Sequence, residues 1–461
     1  MNLMKHQQEN LDFLSNRFSG CIFDEPGLGK TLVMLEHLKR LNNSSNIFPC
    51  LIVVPLSGVT VWQSEAIKYG YDFTFQELVG TYNTRIQRLK ANADIYVINW
   101  DALRILNLHL KNKGFKTVIF DELHRGKERS SKCTKVAMEL AQSKTYRYGL
   151  TGTPIGKSPE DIWSQMQIIE PNSLGNFYVF AARYIDYKKV SIRVRGGVRR
   201  KIRKPVKYKN LSELKERLSK FSIRHTMKEC LDLPEKIYKV IECPLSASQK
   251  NHYWSLKSCL ATMLNDEQFK ITHAATLIQK LQQICQGFIY DDNKKVTIFE
   301  SGKRKMLFDL LKDLEGEKII LFTWFRADAE ILKMELEKKY KIILFDGSSE
   351  DRMKMVNEFQ TSTEPMIFLS NVERAKECIT LTDARHMIYF GNSWNYITRT
   401  QSENRAWRTG QTKSVIIYDF VCKNTVDELV YDALKYKGEM ADKTLGDSKR
   451  LAELITQQKE E

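Results

Sequence analysis

Four short apolar runs recur in the first 150 residues, at Cys50–Val54, Ile95–Ile98, Thr117–Phe120 and Arg147–Leu150, with polar, helix-prone stretches between them. Short, nearly continuous apolar runs predict strands buried on both faces, and strands alternating with helices predict a mainly parallel α/β sheet. Ahead of these runs, a helical pattern (Leu11, Leu14, Phe18) is followed by Cys21-Ile22-Phe23, which leads into the loop Asp24-Glu25-Pro26-Gly27-Leu28-Gly29-Lys30-Thr31. A helix-forming stretch from Leu32 to Leu41 comes next. Between about Ser158 and Ser301 the alternation stops and helical patterns dominate, at Leu211–Leu218, Ala247–Leu264 and Ala275–Cys285. A second α/β alternation then begins, with strands predicted at Lys318–Phe322, Lys341–Phe345, Met366–Leu369, His386–Phe390 and Ser414–Val421. The chain therefore divides into residues 1–157, 158–300 and 301–436, followed by a polar, helical tail over 437–461.

Ligands of parallel sheets bind beyond the carboxyl ends of the strands, and the most reactive residues fall at those ends. Gly27 and Gly29 let the loop after Phe23 turn its N–H groups inward, toward the positive end of the following helix. Lys30 would reach the terminal phosphates of a nucleotide and the Thr31 hydroxyl would ligate magnesium. The first glycine of the usual phosphate-loop pattern is replaced by Asp24. After Thr117–Phe120 come Asp121 and Glu122; Asp121 would hold the metal, and Glu122 would orient and deprotonate a water. On their own two such acids also suit a plain turn. Thr151-Gly152-Thr153-Pro154 ends another strand with hydroxyls able to bond toward the same pocket. Gln7 has an amide that suits an adenine edge, although a glutamine near an N-terminus also suits an ordinary surface. In the second half, the pattern predicts a helix up to Gly410, placing Gln401, Arg405 and Arg408 on one face. Two arginines so placed suit a phosphate clamp, as well as an arginine-rich surface helix.

Composition adds a partner. The net charge is +16, and the segment from Asp186 to Lys209 holds eleven Lys or Arg against one acid, +10 of that excess. Two short strands about Gly196-Gly197 would make this a basic hairpin that offers Arg195, Arg199 and Arg200 to a nucleic-acid backbone. A solvated insertion is the alternative. Nine cysteines, scattered without a Cys-x-x-Cys pair, indicate neither a zinc site nor a disulfide framework, and a reducing cytoplasm is expected. No run approaches the roughly 20 apolar residues of a membrane span, and the N-terminus lacks the apolar core of a signal peptide.

Taken in order, the motifs resemble those of Swi/Snf-type DNA translocases in helicase superfamily two. They are Lys5-His6-Gln7, Asp24–Thr31, Val53-Val54-Pro55-Leu56 with Trp62, Asn99-Trp100, Asp121–His124 and Leu150–Pro154. They continue with Arg224 ahead of Leu233–Lys236, Ser301-Gly302-Lys303, Asp346-Gly347-Ser348 with Arg352, and Gln401–Gln411. Aspartate in place of the first loop glycine is also that family's habit. The resemblance implies two RecA-like lobes with helical protrusions between them, an ATP site that uses Mg2+, and a motor on double-stranded DNA, forked or branched DNA included. It implies Gln7, Gly27, Gly29, Lys30, Thr31 and Gln401 on the nucleotide, Thr31 and Asp121 on the metal, and Lys30, Asp121, Glu122, Arg405 and Arg408 as catalytic groups. The DNA track it implies takes in Pro55, Ser57, Asn99, Trp100, Asp346, Gly347, Ser348, Lys376 and Trp394. Lys376 and Cys378 stand where the family has glycines that allow a tight backbone approach to DNA; Lys376 either offers a phosphate contact directly or marks an altered coupling between ATP hydrolysis and movement. A strand-separating or branch-migrating helicase, and a DNA-bound regulatory subunit with weak ATPase, are the alternative readings. By analogy with small family members, a monomer is expected in a bacterial nucleoid or an infected host's cytoplasm, with replication or recombination proteins as partners and no membrane.

Overall fold

The computed structural model describes residues 3–154, 159–193, 199–265, 271–291, 293–345, 352–374 and 379–435. The chain divides into two units, Met1–Leu231 and Asp232–Glu461.

The first unit contains strands β1 (Ser19–Ile22), β2 (Cys50–Val54), β3 (Phe75–Glu77), β4 (Ile95–Asn99), β5 (Thr117–Asp121) and β6 (Tyr146–Leu150). A ribbon of β7 (Ile185–Arg193) and β8 (Arg199–Tyr208) follows, and then β9 (Ser222–Ile223). Seven of these strands form one parallel sheet in the order β3-β4-β2-β5-β6-β1-β9. Alternate side chains of its central strands enter two separate cores. Leu51, Val53, Val118 and Phe120 pack on one face, and Ile52, Val54 and Ile119 on the other. That two-sided burial is why these strands read as unbroken apolar runs. The register sets Ile22 beside Leu150 and Leu150 beside Asp121, so β1, β6 and β5 end level with one another.

The second unit contains β10 (Lys236–Glu242), the antiparallel pair β11 (Phe288–Tyr290) and β12 (Val296–Ile298), and β13 (Ile319–Thr323). It ends with β14 (Ile342–Phe345), β15 (Ile367–Asn371), β16 (His386–Tyr389) and β17 (Val415–Val421). Six of them form a second parallel sheet in the order β10-β17-β16-β13-β15-β14. Two parallel α/β lobes are therefore present.

Within the stretch 158–300, residues up to Leu231 belong to the first unit and those from Asp232 to the second. Helix Pro159–Ile169 gives Ile162, Met166, Ile168 and Ile169 to the first core. Helix Ile271–Gln286 gives Leu281, Ile284 and Cys285 to the second. Apolar stripes on these helices are buried against the nearer sheet, which explains the division. The basic segment does form an antiparallel ribbon, β7 with β8, whose turn with Arg195 lies outside the described residues. The tail over 437–461 lies outside them too. Among the described residues no helix is long and apolar enough to cross a membrane.

One buried charge cluster fastens the second sheet. Arg399, on helix Tyr396–Glu403, makes a two-pronged pair with Asp419 of β17 (2.5 and 2.9 Å) and a further one with Glu403 (2.7 Å). Its guanidinium lies 3.6 Å from the Tyr389 ring centroid. All three charged side chains are buried. Removing one partner strands the others in low dielectric, so Arg399→Ala is expected to lower stability by about 3–5 kcal/mol in urea unfolding. A loss under about 1 kcal/mol would show that the cluster carries little of that unit's stability.

Candidate functional site

The level ends of β1, β6 and β5 bring three segments of the first unit together. The loop after β1 turns through Gly27 (φ 95°) and Gly29 (φ 79°) and enters helix α2 (Lys30–Asn42), with Gly29 as its N-cap. The positive φ at Gly29 requires glycine, and a Cβ there would lie 2.5 Å from Gln7 Nε2 and displace that amide. The first N–H groups of α2 lack intrahelical acceptors and present an anion site together with the helix dipole. Lys30 Nζ donates to the carbonyls of Asp24 (2.7 Å) and Glu25 (3.2 Å), which holds its ammonium over the loop.

Helix α1 (Lys5–Leu14) closes one side of the loop. Gln7 Nε2 donates to Leu28 O (3.3 Å) and Gln7 Oε1 accepts from Met4 N (3.0 Å), while His6 Nε2 lies 3.0 Å from Leu28 O. Gln7 is buried against the loop and is not an ordinary surface residue.

Asp121 and Glu122 stand at the end of β5. The Asp121 carboxylate accepts from Trp62 Nε1 (3.3 Å) and from Glu122 N (2.9 Å). Burial first, and then the neighbouring Glu122 charge, push the Asp121 carboxyl above the ordinary range, against the pull of Lys30 and the Trp62 bond. A half-buried carboxylate raised in this way gains from a cation. Glu122 adopts a left-handed backbone (φ 50°) that turns it away from the strand direction. Its Oε2 lies 3.0 Å from His124 Nδ1, which also lies 3.0 Å from Thr151 Oγ1. The hydroxyl expected at the end of β6 thus reaches the acid pair through His124. Gly152 lets that end approach the loop: a Cβ there would meet Pro26 Cδ at 2.5 Å.

The donor set fits a nucleoside triphosphate with magnesium. It combines a glycine cradle, a lysine over the loop, a hydroxyl at Thr31 and a half-buried carboxylate at Asp121.

Other predicted residues fall differently. Asn99 and Trp100 are buried, and their polar atoms serve the fold: Arg85 Nη1 donates to Asn99 Oδ1 (2.9 Å) and Trp100 Nε1 donates to Asp121 O (2.8 Å). Trp100 thereby supports the main chain at Asp121, while Asn99 anchors Arg85. Pro55 N-caps the short helical turn Leu56–Gly58, which carries Ser57. In the second unit Trp394 packs on the core, with Nε1 bonded to Gln282 Oε1 (3.3 Å). Gln401 is buried. The helix that carries Gln401 ends at Glu403, not at Gly410, so Arg405 and Arg408 do not share a helical face with it. Leu381 N–H takes the Arg405 carbonyl (2.8 Å) and Trp407 Nε1 takes Pro234 O (2.6 Å), and these bonds draw the chain out of the helix. Gly410 (φ 103°) does turn the chain there. Arg199 and Arg200 lie on β8; Arg195, Asp346, Gly347, Ser348, Lys376 and Cys378 lie outside the described residues.

Two residues escaped the sequence reading. Asn10 Nδ2 donates to Asp24 Oδ2 (2.6 Å), and His225 reaches Asp24 Oδ1 through its backbone N–H (2.8 Å) and ring Nδ1 (2.9 Å). Nothing local in the sequence marks His225, which lies 201 positions from Asp24.

Residues 6–288 match the SNF2-related domain family, and residues 302–410 match the helicase conserved C-terminal domain. The uncharacterised ATP-dependent helicase MG018 of Mycoplasma genitalium is 28% identical over 96% of this chain and 42% of its own length. The human DNA annealing helicase and endonuclease ZRANB3 is 27% identical over 97% of this chain and 41% of its own. The chain thus spans less than half the length of these curated relatives. A solved structure, the Sulfolobus solfataricus SWI2/SNF2 ATPase core in complex with dsDNA, covers 98% of this chain and 95% of its own at 25% identity, with a TM-score of 0.46.

Proposed function

The chain belongs to the SNF2-related family of ATP-dependent helicases, and from that membership we propose that it is a DNA-stimulated ATPase that drives movement along double-stranded DNA. The observation that carries the proposal is the row of strand ends where Lys30, Thr31, Asp121 and Glu122 meet. Lys30 and the α2 N-terminus hold the terminal phosphates of ATP, and Gln7 takes the adenine edge. Thr31 and Asp121 would hold magnesium, which when bound would supply charge neutralisation at the phosphates. Glu122, oriented by His124, takes a proton from the attacking water. Arg405 and Arg408, from the second unit, offset the charge that develops on the transferred phosphate. Pro55, Ser57, Arg195, Arg199, Arg200, Asp346, Gly347, Ser348 and Lys376 contact DNA.

ATPase assays across duplex, single-stranded, forked and RNA ligands test this reading. Duplex DNA is expected to stimulate most. The DNA concentration that gives half-maximal stimulation is expected to rise at least about tenfold between roughly 50 and 200 mM salt, because phosphate contacts release counterions. Equal stimulation by RNA, or none by DNA, would overturn it. The likeness to an annealing helicase favours a second reading, branch migration or reannealing at forks. Triplex displacement without strand displacement would mark a motor that slides on intact duplex.

A further inference from the structure

The loop's odd position is its first, where Asp24 replaces glycine. The Asp24 side chain is fully buried, and a buried carboxylate persists only when donors satisfy it. Its donors come from two distant places. Asn10 on α1 serves Oδ2, and His225 serves Oδ1 twice, through the backbone and through ring Nδ1. The other ring nitrogen, Nε2, lies 2.9 Å from Glu9 Oε2, so Glu9 fixes the plane of the imidazole. The same Asp24 offers its backbone carbonyl to Lys30 Nζ at 2.7 Å. One residue thus joins His225 on its side chain to the phosphate-binding lysine on its main chain.

The segment around His225 is laced to the loop throughout. Phe23 N–H takes Ile223 O (2.8 Å), Glu25 N–H takes His225 O (3.0 Å), and Glu25 Oε2 accepts from Met227 N (2.9 Å). This segment is the last of the first unit, six residues before its end at Leu231.

We infer that His225 is a positioning residue for the ATPase: through Nδ1 it holds Asp24, and through Asp24 it sets Lys30 and the phosphate loop. This rests on the nucleotide-site reading above and adds to it a residue with no contact to the phosphates. The two ring nitrogens separate a positioning role from general support of the fold. Asn at 225 places an amide donor near the Nδ1 position and keeps the Asp24 bond. Gln reaches further, toward the Nε2 position and Glu9, and loses the Asp24 bond.

The test compares the full chain with His225→Ala, His225→Asn and His225→Gln, measuring the affinity for a fluorescent ADP analogue and the KM and kcat for ATP with duplex DNA. His225→Ala and His225→Gln are expected to weaken nucleotide affinity and raise KM by about tenfold, with a smaller change in kcat. His225→Asn is expected to stay within about twofold of the parent. Equal behaviour of the Asn and Gln variants would overturn the inference, and so would unchanged affinity in His225→Ala. The Asn–Gln comparison stands even where the Ala variant fails to fold. A parent chain that binds nucleotide but ignores DNA would sink the motor reading alone, because nucleotide affinity still reports on His225.

Discussion

Glu122→Gln is expected to lower ATP turnover by about 10²–10⁴-fold while leaving nucleotide binding intact. The substitution keeps shape and removes the charge that accepts a proton. Glutamine fits the same left-handed backbone position at the end of β5 and can still meet His124, which stands 3.0 Å away. The adjacent Asp121 gains from the change. Its carboxyl is held above the ordinary range by burial and by the Glu122 charge, so removing that charge eases ionisation and favours the metal. The variant is therefore expected to bind Mg-ATP at least as tightly as the parent. Steady-state ATPase with duplex DNA, set beside nucleotide affinity, checks both halves. Lys30→Ala differs in kind: it removes the cation that opposes Asp121's upward shift and steadies the phosphates, so KM rises as kcat falls. A Glu122→Gln variant with parental turnover would move the general base elsewhere.

The legible parts of this chain are those where local pattern and tertiary need agree. The central strands of both sheets were readable to within a residue or two because burial on both faces leaves no room for polar positions. β10 was not, because Lys236-Ile-Tyr-Lys239-Val-Ile-Glu242 lies on a sheet edge and mixes charge with apolar residues. The phosphate loop and the acid pair were readable from spacing, but what holds them was not. Asn10 and His225 converge on Asp24 through the fold, and neither carries periodicity that announces a role. Asn99-Trp100 carries a structural role that its motif does not announce. The pair resembles a stretch of DNA track, and the sequence alone does not show that both side chains are buried, with Trp100 bonded to the Asp121 carbonyl and Asn99 to Arg85. Arg399 likewise sits in an arginine-rich segment that could pass for surface, and it is one of the buried anchors of the second sheet.

The segment after Arg399 carries the other large effect. Arg408→Ala is expected to lower kcat by about 10³-fold or more, the range for loss of a charge-offsetting arginine in phosphoryl transfer. The structure changes how that arginine is presented. The helix stops at Glu403, and residues beyond it run through turns pinned by Leu381 N–H on Arg405 O and by Trp407 on Pro234. Arg408 Nη1 donates to Thr380 Oγ1 at 2.9 Å, which ties its guanidinium to the 379–382 stretch. Arg405 is tied to the same stretch through its carbonyl. Removing the Arg405 side chain leaves that main-chain tie in place, so Arg405→Ala and Arg408→Ala report on side-chain charge rather than on the path of the chain. The loop, Gln7 and the acid pair all belong to the first unit, whereas Arg408 belongs to the second. In the proposed mechanism nucleotide affinity should therefore survive in Arg408→Ala while turnover collapses. Arg408→Lys should recover little, because an ammonium cannot make the paired contacts of a guanidinium. Parental turnover in Arg408→Ala would remove this residue from the chemistry; a large loss of nucleotide affinity with kcat preserved would make it a binding residue instead.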